Sequence, residues 1–284
     1  MTELSINDFR QALTLSDGDW VDLMAGTARE DLHLVPVPGL PSVEVQEAFV
    51  GSSGPATMYE AGSFYVKTVE ALREFGWIDE AFGSILDFGC GWGRIYRFFL
   101  RHCESGRLVG VDIDNELIAL CRDAMPYGTF ETCDSMPPLP FDEGSFDLVT
   151  AYSVFSHLAP EVFLAWVQEF GRLLRPGGVL AFTTLVGEHI DVWEAQERHG
   201  NAWDKSALRR AGFHARRWRR RLALGEALFV PTGGGGVRES SFYGETVLPA
   251  KYLATVSPSL GFSLVTYANQ GLPQTFVVLR RAAS

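Results

Sequence analysis

The stretch ILDFGCGWGR, at residues 85–94, decides the fold. It begins with a short apolar run that predicts a buried strand, and it passes into Gly89, Gly91 and Gly93. Glycine has no Cβ, so its backbone can turn sharply and approach a ligand closely. The next residues, 93–102, predict a helix whose free N–H groups would point at the same ligand. The stretch therefore predicts a ligand site between a strand and a helix.

Strands and helices alternate along the chain after this loop. Apolar runs predict further strands at 107–114, 128–134, 146–152 and 179–186, and helical patterns separate them at 115–124 and 160–174. The segment RPGG at 175–178 predicts a turn, and 262–268 with 274–281 predict a closing antiparallel hairpin. Such alternation predicts βαβ units and a parallel sheet. The strands are apolar on both faces, which is typical of a sheet covered by helices on both sides.

Acidic residues stand at the ends of three predicted strands. A dinucleotide site has the pattern G-x-G-x-x-G, whereas this loop reads G-x-G-x-G and has Arg94 in the place of the third glycine. Asp87 would repel a pyrophosphate but suits a ligand with a positively charged amino end. Asp112 can accept hydrogen bonds from ribose hydroxyls, and Asp134 can accept from the amino group of a base. The three acids predict an adenosine ligand with a zwitterionic, cationic tail.

DFGCGWG, VGVD at 109–112 and CDS at 133–135 resemble the motifs of class I S-adenosylmethionine-dependent methyltransferases, including bacterial members that act on small molecules and glycans. Residues 146–158 and 173–184 also resemble family motifs, in the expected order. The resemblance implies an α/β, Rossmann-like fold. Its seven-stranded, mostly parallel sheet would have the order 3-2-1-4-5-7-6, with helices on both faces and strand 7 antiparallel.

The resemblance also implies the ligand and the residues that bind it. The methyl donor would be S-adenosylmethionine and the product S-adenosylhomocysteine, lying over the carboxyl ends of strands 1 to 4. The implied donor-binding residues are Asp87, Gly89, Cys90, Gly91, Gly93, Asp112, Ile113, Asp134, Ser135, Ala151 and Tyr152. The turn GSSG at 51–54 and the helix after it resemble a segment that covers the donor in bacterial members.

Two segments lie outside the strand–helix alternation. Residues 1–56 are weakly patterned and predict an N-terminal helical extension, so the methyltransferase domain would span 57–284. Residues 187–243 interrupt the pattern after the fifth strand. We predict that they form an insertion that acts as a lid and binds the acceptor, because the motifs already described account only for the donor. Its glycines at 233–236 would let it move.

Two histidines are candidate catalytic bases. His157 follows the fourth strand and His189 the fifth, and imidazole can take a proton from a hydroxyl near neutral pH. The alternative role of His157 is to stabilise its loop, and that of His189 is to bind the acceptor. Glu188 and Asp191, on either side of His189, are open to the same two roles as His189. His189 with Asp191 would suit a metal, but metal-dependent O-methyltransferases have an acid directly after strand 4, where this chain has Ala151 and Tyr152. We therefore predict no metal.

Residues 209–221 contain seven arginines and no acid, although the whole chain has a net charge of −11. Two interpretations are open. The arginines could form a solvated helix face that pairs with the chain's own acids. Alternatively, Arg216, Arg217, Arg219, Arg220 and Arg221 could bind an anionic acceptor, since arginine binds phosphate and carboxylate groups in a bidentate manner.

Composition excludes several other classes of protein. With 284 residues, 46% hydrophobic and 21% charged, the chain is typical of a globular enzyme. It has no apolar run of about 18 residues to cross a membrane, and its start, MTELSINDFR, has no apolar signal region. We therefore expect a cytoplasmic protein. The four cysteines, at 90, 103, 121 and 133, match no zinc-site spacing.

The leading hypothesis is methyl transfer to a small-molecule acceptor, onto the oxygen of a natural product or sugar-type compound. The first alternative is a nucleic-acid methyltransferase that grips its substrate through residues 209–221. The acidic balance of the chain disfavours it, and residues 151–154 lack the N/D-P-P-Y/F tetrad of enzymes that methylate DNA amino groups. The second alternative is a donor-binding module without catalysis.

Overall fold

The computed structural model describes residues 5–32, 35–77, 82–104, 106–269 and 271–283. The first four residues of the polar N-terminal segment lie outside the described residues. The internal contacts of the chain define two units, Met1–Cys133 with Ser145–Tyr152 and Asp134–Gly144 with Ser153–Ser284. The predicted boundary between residues 56 and 57 stays a prediction.

The first unit contains four parallel strands and the N-terminal helices. The strands are β1 (Ile85–Phe88), β2 (Leu108–Asp112), β3 (Thr129–Thr132) and β4 (Phe146–Ala151). The helices are α1 (Asp17–Met24), α2 (Val43–Val50), α3 (Pro55–Glu74), α4 (Tyr96–Phe99) and α5 (Asn115–Ala124). Short 3-10 helices cover Ile6–Thr14, Glu30–Leu32 and Leu100–His102. Strand β1 pairs with both β2 and β4, and its apolar residues are fully buried, which makes it the centre of this unit.

Buried arginines tie the N-terminal segment to the first unit. Arg97 is fully buried and donates to the carbonyl oxygen of Pro38 at 3.0 Å. Arg101 donates to the carbonyl oxygen of Leu15 at 3.0 Å and forms an ion pair with Asp17. A buried guanidinium group is stable only when it is paired. The segment before α3 is therefore part of the core of this unit.

The second unit contains three strands of the main sheet and the elements between them. In chain order its helices are α6 (Pro160–Leu173), α7 (His189–His199), α8 (Ala202–Arg210), α9 (Ala215–Leu224) and α10 (Ala250–Val256), with a 3-10 helix at Ser257–Leu260. Its strands are β5 (Leu174–Thr184), β6 (Leu228–Val230), β7 (Glu245–Val247), β8 (Phe262–Ala268) and β9 (Thr275–Arg281). Strand β9 is antiparallel to both β5 and β8, and β6 pairs with β7 in a separate two-stranded ribbon.

The seven strands of the main sheet have the order β3-β2-β1-β4-β5-β9-β8. Because β6 and β7 form their own ribbon, β8 and β9 are the sixth and seventh strands of the main sheet in chain order. The observed order is therefore the predicted 3-2-1-4-5-7-6, and the predicted fold class is confirmed. The predicted hairpin of 262–268 with 274–281 is also confirmed.

Two local predictions differ from the structure. The turn predicted at 175–178 is wrong, because β5 already begins at Leu174. Gly177 takes up the bend within the strand with a φ of 78°, and its N–H donates to the carbonyl oxygen of Ala282 at 3.3 Å. The helix predicted at 93–102 is shorter, since Gly93 has a φ of 79°, which a right-handed helix cannot include.

The segment 187–243 has a hydrophobic core within the second unit. Helices α7, α8 and α9 pack with the β6–β7 ribbon around Trp193, Phe213 and Trp218. The ring centroids of Trp193 and Trp218 lie 5.4 Å apart in an edge-to-face arrangement, which is a favourable geometry for aromatic rings. The predicted insertion is thus a packed helical layer. No helix among the described residues is long and apolar enough to span a membrane.

Candidate active site

The glycine loop after β1 requires glycine for its conformation. Gly89, Gly91 and Gly93 have φ values of 68°, 54° and 79°, in the left-handed region that other residues rarely adopt. A Cβ added at Gly93 would lie 2.4 Å from the Cε of Met125. At Gly91 no described atom, apart from those of Gly91 and its two chain neighbours, lies within 4 Å of that position. The loop therefore leaves open space beside Gly91, where a ligand can approach the backbone.

Asp112, the last residue of β2, holds this loop in place. Its Oδ2 accepts a hydrogen bond from the N–H of Gly91 at 2.9 Å, and its Oδ1 accepts from the N–H of Asp114 at 2.9 Å. Each carboxylate oxygen can accept more than one hydrogen bond. Asp112 can therefore fix the loop and still accept hydrogen bonds from a pair of ribose hydroxyls. The sequence predicted only the second of these roles.

Asp87 places a buried carboxylate next to the glycine loop. It is 1% exposed, and its Oδ1 accepts a hydrogen bond from the Thr150 hydroxyl at 2.8 Å. Its Oδ2 is buried and has no hydrogen-bond partner among the described residues. Burial raises the pKa of Asp87 to about 7, although the hydrogen bond from Thr150 opposes this shift. An unpaired buried carboxylate oxygen is costly, and it fits the ammonium end of an amino-acid ligand.

Tyr152, which follows β4, is held by a polar cluster. Its hydroxyl donates to Oε1 of Glu60 at 2.7 Å, and Arg94 contacts the same oxygen at 3.2 Å. Arg94 also donates to the Thr57 hydroxyl at 2.8 Å. Glu60 and Thr57 belong to α3, so this helix is tied to the glycine loop through Arg94 and to the end of β4 through Tyr152.

The other predicted donor-binding residues have varied environments. Cys90 is 4% exposed, and burial raises the pKa of its thiol, which keeps it protonated. Ile113 is half-buried directly after β2, and Ala151 is fully buried at the end of β4. Asp134 is exposed, while Ser135 is half-buried and its carbonyl oxygen accepts from the Trp166 indole N–H at 3.1 Å. Asp134 and Ser135 belong to the second unit, and their contact with adenine stays a prediction.

His157 is a half-buried histidine with a fixed tautomer. Its Nδ1 lies 2.8 Å from the carbonyl oxygen of Gly244. A carbonyl can only accept, so Nδ1 carries the proton and Nε2 has a lone pair that can accept one. The ring stacks on Tyr243, with centroids 5.0 Å apart. Burial lowers the pKa of His157, which favours the neutral form that a general base needs.

His189, at the start of α7, faces a carboxylate that sequence reasoning missed. Its Nε2 lies 3.5 Å from Oε1 of Glu245. The other oxygen of Glu245 accepts from the Trp193 indole N–H at 2.5 Å. Burial alone would raise the pKa of Glu245, but the contacts from His189 and Trp193 lower it overall. The charge of Glu245 raises the pKa of His157, and the charge of His189 lowers it. Each of these two effects on the pKa of His157 is smaller than the effect of burial.

A segment from 242 to 246 runs beside the loop that carries His157. The Ala159 N–H donates to the carbonyl oxygen of Phe242 at 2.9 Å, and the Gly244 N–H donates to that of His157 at 2.7 Å. The Thr246 hydroxyl donates to the carbonyl oxygen of Leu158 at 2.6 Å. We call residues 242–246 the strap. It fixes the backbone of the His157 loop and also contributes Glu245.

Ser153 begins this loop in an unusual conformation. Its φ is 57°, and among the described residues it is the only one other than glycine with a positive φ. Its hydroxyl accepts a hydrogen bond from the Gln274 amide at 2.9 Å, and its N–H donates to the Thr183 hydroxyl at 2.8 Å. These contacts hold the backbone in the left-handed region, in which a Cβ is unfavourable.

Two substitutions of Ser153 test this strain. We expect Ser153→Gly to retain about 1 kcal/mol more unfolding free energy than Ser153→Ala. Both variants lose the hydroxyl, but only glycine adopts the left-handed conformation without a penalty from Cβ. Urea unfolding followed by circular dichroism measures the difference. Equal stability of the two variants would contradict the assigned strain.

The arginines at 209–221 divide into two groups. Arg219 pairs with Asp191 and Glu194, both at 2.6 Å, and Arg221 pairs with Glu226 at 2.7 Å. Arg210 donates to the carbonyl oxygen of Pro231 and lies over the Trp203 ring. The remaining members are exposed and have no ion pair or side-chain hydrogen bond with any described residue; they are Arg209, Arg216, Arg217 and Arg220. The predicted pairing with the chain's own acids therefore holds for only some members of the cluster.

Metal-binding side chains are not clustered in the part of the chain that the structure describes. No group of three or more His, Cys, Asp or Glu residues there could hold a metal ion.

Comparison with known proteins agrees with this geometry. Residues 85–178 match a family model described as a methyltransferase domain. A malonyl-[acyl-carrier protein] O-methyltransferase of Enterobacter lignolyticus is 33% identical over 134 residues, which are 42% of this chain and 48% of the relative. A phthiotriol/phenolphthiotriol dimycocerosates methyltransferase of Mycobacterium ulcerans is 34% identical over 114 residues, 39% of this chain and 41% of the relative. The chain thus spans less than half the length of these curated relatives.

A solved structure supports the fold. The S-adenosylmethionine-dependent methyltransferase of Methanosarcina mazei superposes with a TM-score of 0.50, at 16% identity, over 75% of this chain and 98% of that one. The chain therefore has the fold of an S-adenosylmethionine-dependent methyltransferase, and its residues 85–178 match a methyltransferase domain.

Proposed function

We propose that the protein transfers a methyl group from S-adenosylmethionine to a hydroxyl oxygen of a small-molecule acceptor, of the natural-product or sugar type. The observation that carries the proposal is the donor site in the first unit. There a glycine loop fixed by Asp112 leaves open space at Gly91, and the buried Asp87 has a carboxylate oxygen without a partner. When bound, the donor supplies a methyl group on a positively charged sulfur, which is already reactive.

Each donor-site residue has a separate task in this proposal. Asp87 binds the ammonium group of the methionine part, and this ion pair satisfies its buried Oδ2. Asp112 accepts hydrogen bonds from the ribose hydroxyls while it holds the Gly91 N–H. Tyr152 and Arg94, joined through Glu60, keep α3 against the loop. These contacts would orient the donor, and orientation with exclusion of water is the main source of rate when the donor is already activated.

The acceptor side of the proposal rests on His157. Its Nε2 can take the hydroxyl proton as the oxygen attacks, because Nδ1 is committed to the Gly244 carbonyl. Glu245 and His189 then act on the pKa of His157 through their charges. His189 remains the second candidate base. The name of the Enterobacter relative, an O-methyltransferase, supports oxygen as the methylated atom.

We also propose that the segment 187–243 selects the acceptor. Its helices have their own core, and its last two residues, 242 and 243, belong to the strap, so the segment can influence the His157 loop. An anionic acceptor would find Arg219 and Arg221 already paired with acids of the chain. Two of the five arginines predicted to bind an anionic acceptor are therefore already neutralised within the chain.

The experiment that tests the proposal has two stages. Calorimetry measures binding of S-adenosylmethionine and S-adenosylhomocysteine, with NAD as a control ligand. Methyl-labelled donor is then incubated with cell extract fractionated by size, and label should enter the small-molecule fraction. Label in nucleic acid or protein would overturn the acceptor class, and donor binding without any transfer would favour a non-catalytic module. Tight NAD binding in place of the donor would overturn the donor assignment.

Donor affinity should also depend on pH through Asp87. The pKa of its carboxyl is about 7 in the structure, and the ammonium group binds only the ionised form. Affinity should therefore fall as pH drops through 7, by about fivefold between pH 7 and pH 6. In Asp87→Asn the affinity should be lower at pH 7 and nearly constant over this range. Calorimetry at several pH values measures this donor affinity. A donor affinity that does not change with pH in the native protein would contradict the ion pair.

A further inference from the structure

Helix α9 presents an outward row of positive charge. Arg216 and Arg220 are four residues apart, and Arg217 and Arg220 are three apart, so the three side chains share one side of the helix. All three are exposed. None of the three guanidinium groups forms an ion pair or a hydrogen bond with a described residue, although the backbone N–H of Arg217 donates to Nδ1 of His214. We call these three residues the arginine face.

The other sides of α9 fix its orientation within the second unit. Trp218 is 1% exposed and packs in the core of the segment, with Leu222 against it. Arg219 is held by Asp191 and Glu194 of α7, and Arg221 by Glu226. The helix therefore cannot rotate to bury the arginine face against its own unit without losing these contacts.

The arginine face works against the stability of its own helix. Acidic residues are favoured in the first turn of a helix, where the macrodipole is positive. Helix α9 has no acid there, and Arg216 and Arg217 occupy that turn instead. Like charges three and four residues apart also repel each other. A solvated surface alone does not require this arrangement, which indicates a binding role.

An apolar side chain lies on the same side of the helix. Leu224 is 55% exposed, and it follows Arg220 by four residues and Arg217 by seven. Arginine is enriched at protein interfaces, which combine apolar contacts with hydrogen bonds.

We propose that the arginine face, with Leu224, binds an acidic helical surface of a partner protein. Carboxylates at helical spacing match guanidinium groups at the same spacing and bind them in a bidentate manner. A small anionic ligand needs a concave site, whereas these side chains stand on the outer side of a helix. A long nucleic acid would extend beyond the face and meet a chain of net charge −11.

The test uses the full chain and a labelled synthetic helical peptide with glutamates at i, i+3 and i+4 spacing around one leucine. Fluorescence anisotropy at low salt measures binding. We expect the combined variant Arg216→Gln, Arg217→Gln and Arg220→Gln to weaken binding at least about tenfold, and Leu224→Ser about threefold. Arg209→Gln is the matched control, because Arg209 is also exposed and unpaired but lies on α8. It should change affinity less than about twofold, and added salt should weaken binding throughout.

The triple variant should keep the native melting temperature, because the substituted guanidinium groups contact no described partner. A loss of peptide binding would then be caused by the change in the arginine face and not by unfolding of the chain. Calorimetric donor binding should also be unchanged, so this result is independent of the proposed methyl transfer. The proposal is overturned if the peptide does not bind, or if the triple variant binds it as tightly as the native chain. It is also overturned if a single-stranded DNA of equal charge binds as tightly and Leu224→Ser has no effect on either ligand.

Discussion

Replacing His157 with asparagine is expected to lower turnover on a hydroxyl acceptor by about 10²–10⁴-fold, the usual contribution of a general base. Asparagine can still donate a hydrogen bond to the Gly244 carbonyl, so the loop keeps its anchor while the base is lost. Donor affinity should not change, because the donor site of the first unit does not include this residue. Turnover of labelled donor, with calorimetry on the same sample, separates the two effects.

Two neighbouring substitutions make this test more specific. The charge of Glu245 raises the pKa of His157, so Glu245→Gln should move the acidic limb of the pH–rate profile to lower pH. His189 lowers that pKa, and His189→Ala should move the limb to higher pH. If His157→Asn and His189→Ala both retain full turnover while they are folded and bind donor, neither histidine is the base.

Replacing Asp112 with alanine is expected to weaken donor binding by about ten- to hundredfold, which corresponds to about 1.5–3 kcal/mol. Two ribose hydroxyls would lose a charged acceptor. The Gly91 N–H would also lose its partner at 2.9 Å, so the loop itself would become less ordered. Calorimetry with S-adenosylhomocysteine measures the loss.

Asp112→Asn is the matched variant for this prediction. Its amide oxygen can still accept from the Gly91 N–H, which separates support of the loop from binding of the ribose. We expect an affinity between those of the native chain and Asp112→Ala. Unchanged donor binding in Asp112→Ala would refute the ribose assignment.

The strands and the donor loop could be predicted because their signals are local, whereas the strand order followed from the resemblance to a known family. Short apolar runs bounded by glycine predict strands wherever they pack, and the positive φ values at Gly89, Gly91 and Gly93 explain why glycine stands at those positions. The pairing of Asp87 with Thr150 joins neighbouring parallel strands. The sequence predicted the position of Asp87 but not the single unpaired oxygen, which depends on packing around both strands.

Fewer residues of the acceptor side than of the donor loop could be predicted from the sequence. His157 and His189 were found from their positions after strands, but Glu245 was missed. The strap reaches the His157 loop by an antiparallel contact between distant segments, and neither segment has a periodic pattern that indicates the pairing. In the same way, Arg219 is paired by acids of α7 and Arg221 by Glu226, and the arginine spacing alone does not reveal this.

The position of the strap late in the chain determines when the parts of the candidate site can form during synthesis. Strands β1–β4 and the glycine loop all precede residue 152, whereas Gly244, which fixes the tautomer of His157, lies 87 residues beyond that histidine. Since the N-terminal parts of a chain fold first during synthesis, a nascent chain can form its donor loop while His157 still has no fixed hydrogen-bond partner. We therefore expect a nascent chain to bind the donor before His157, the proposed base, has its fixed tautomer, and methyl transfer to begin only after the strap has been synthesised.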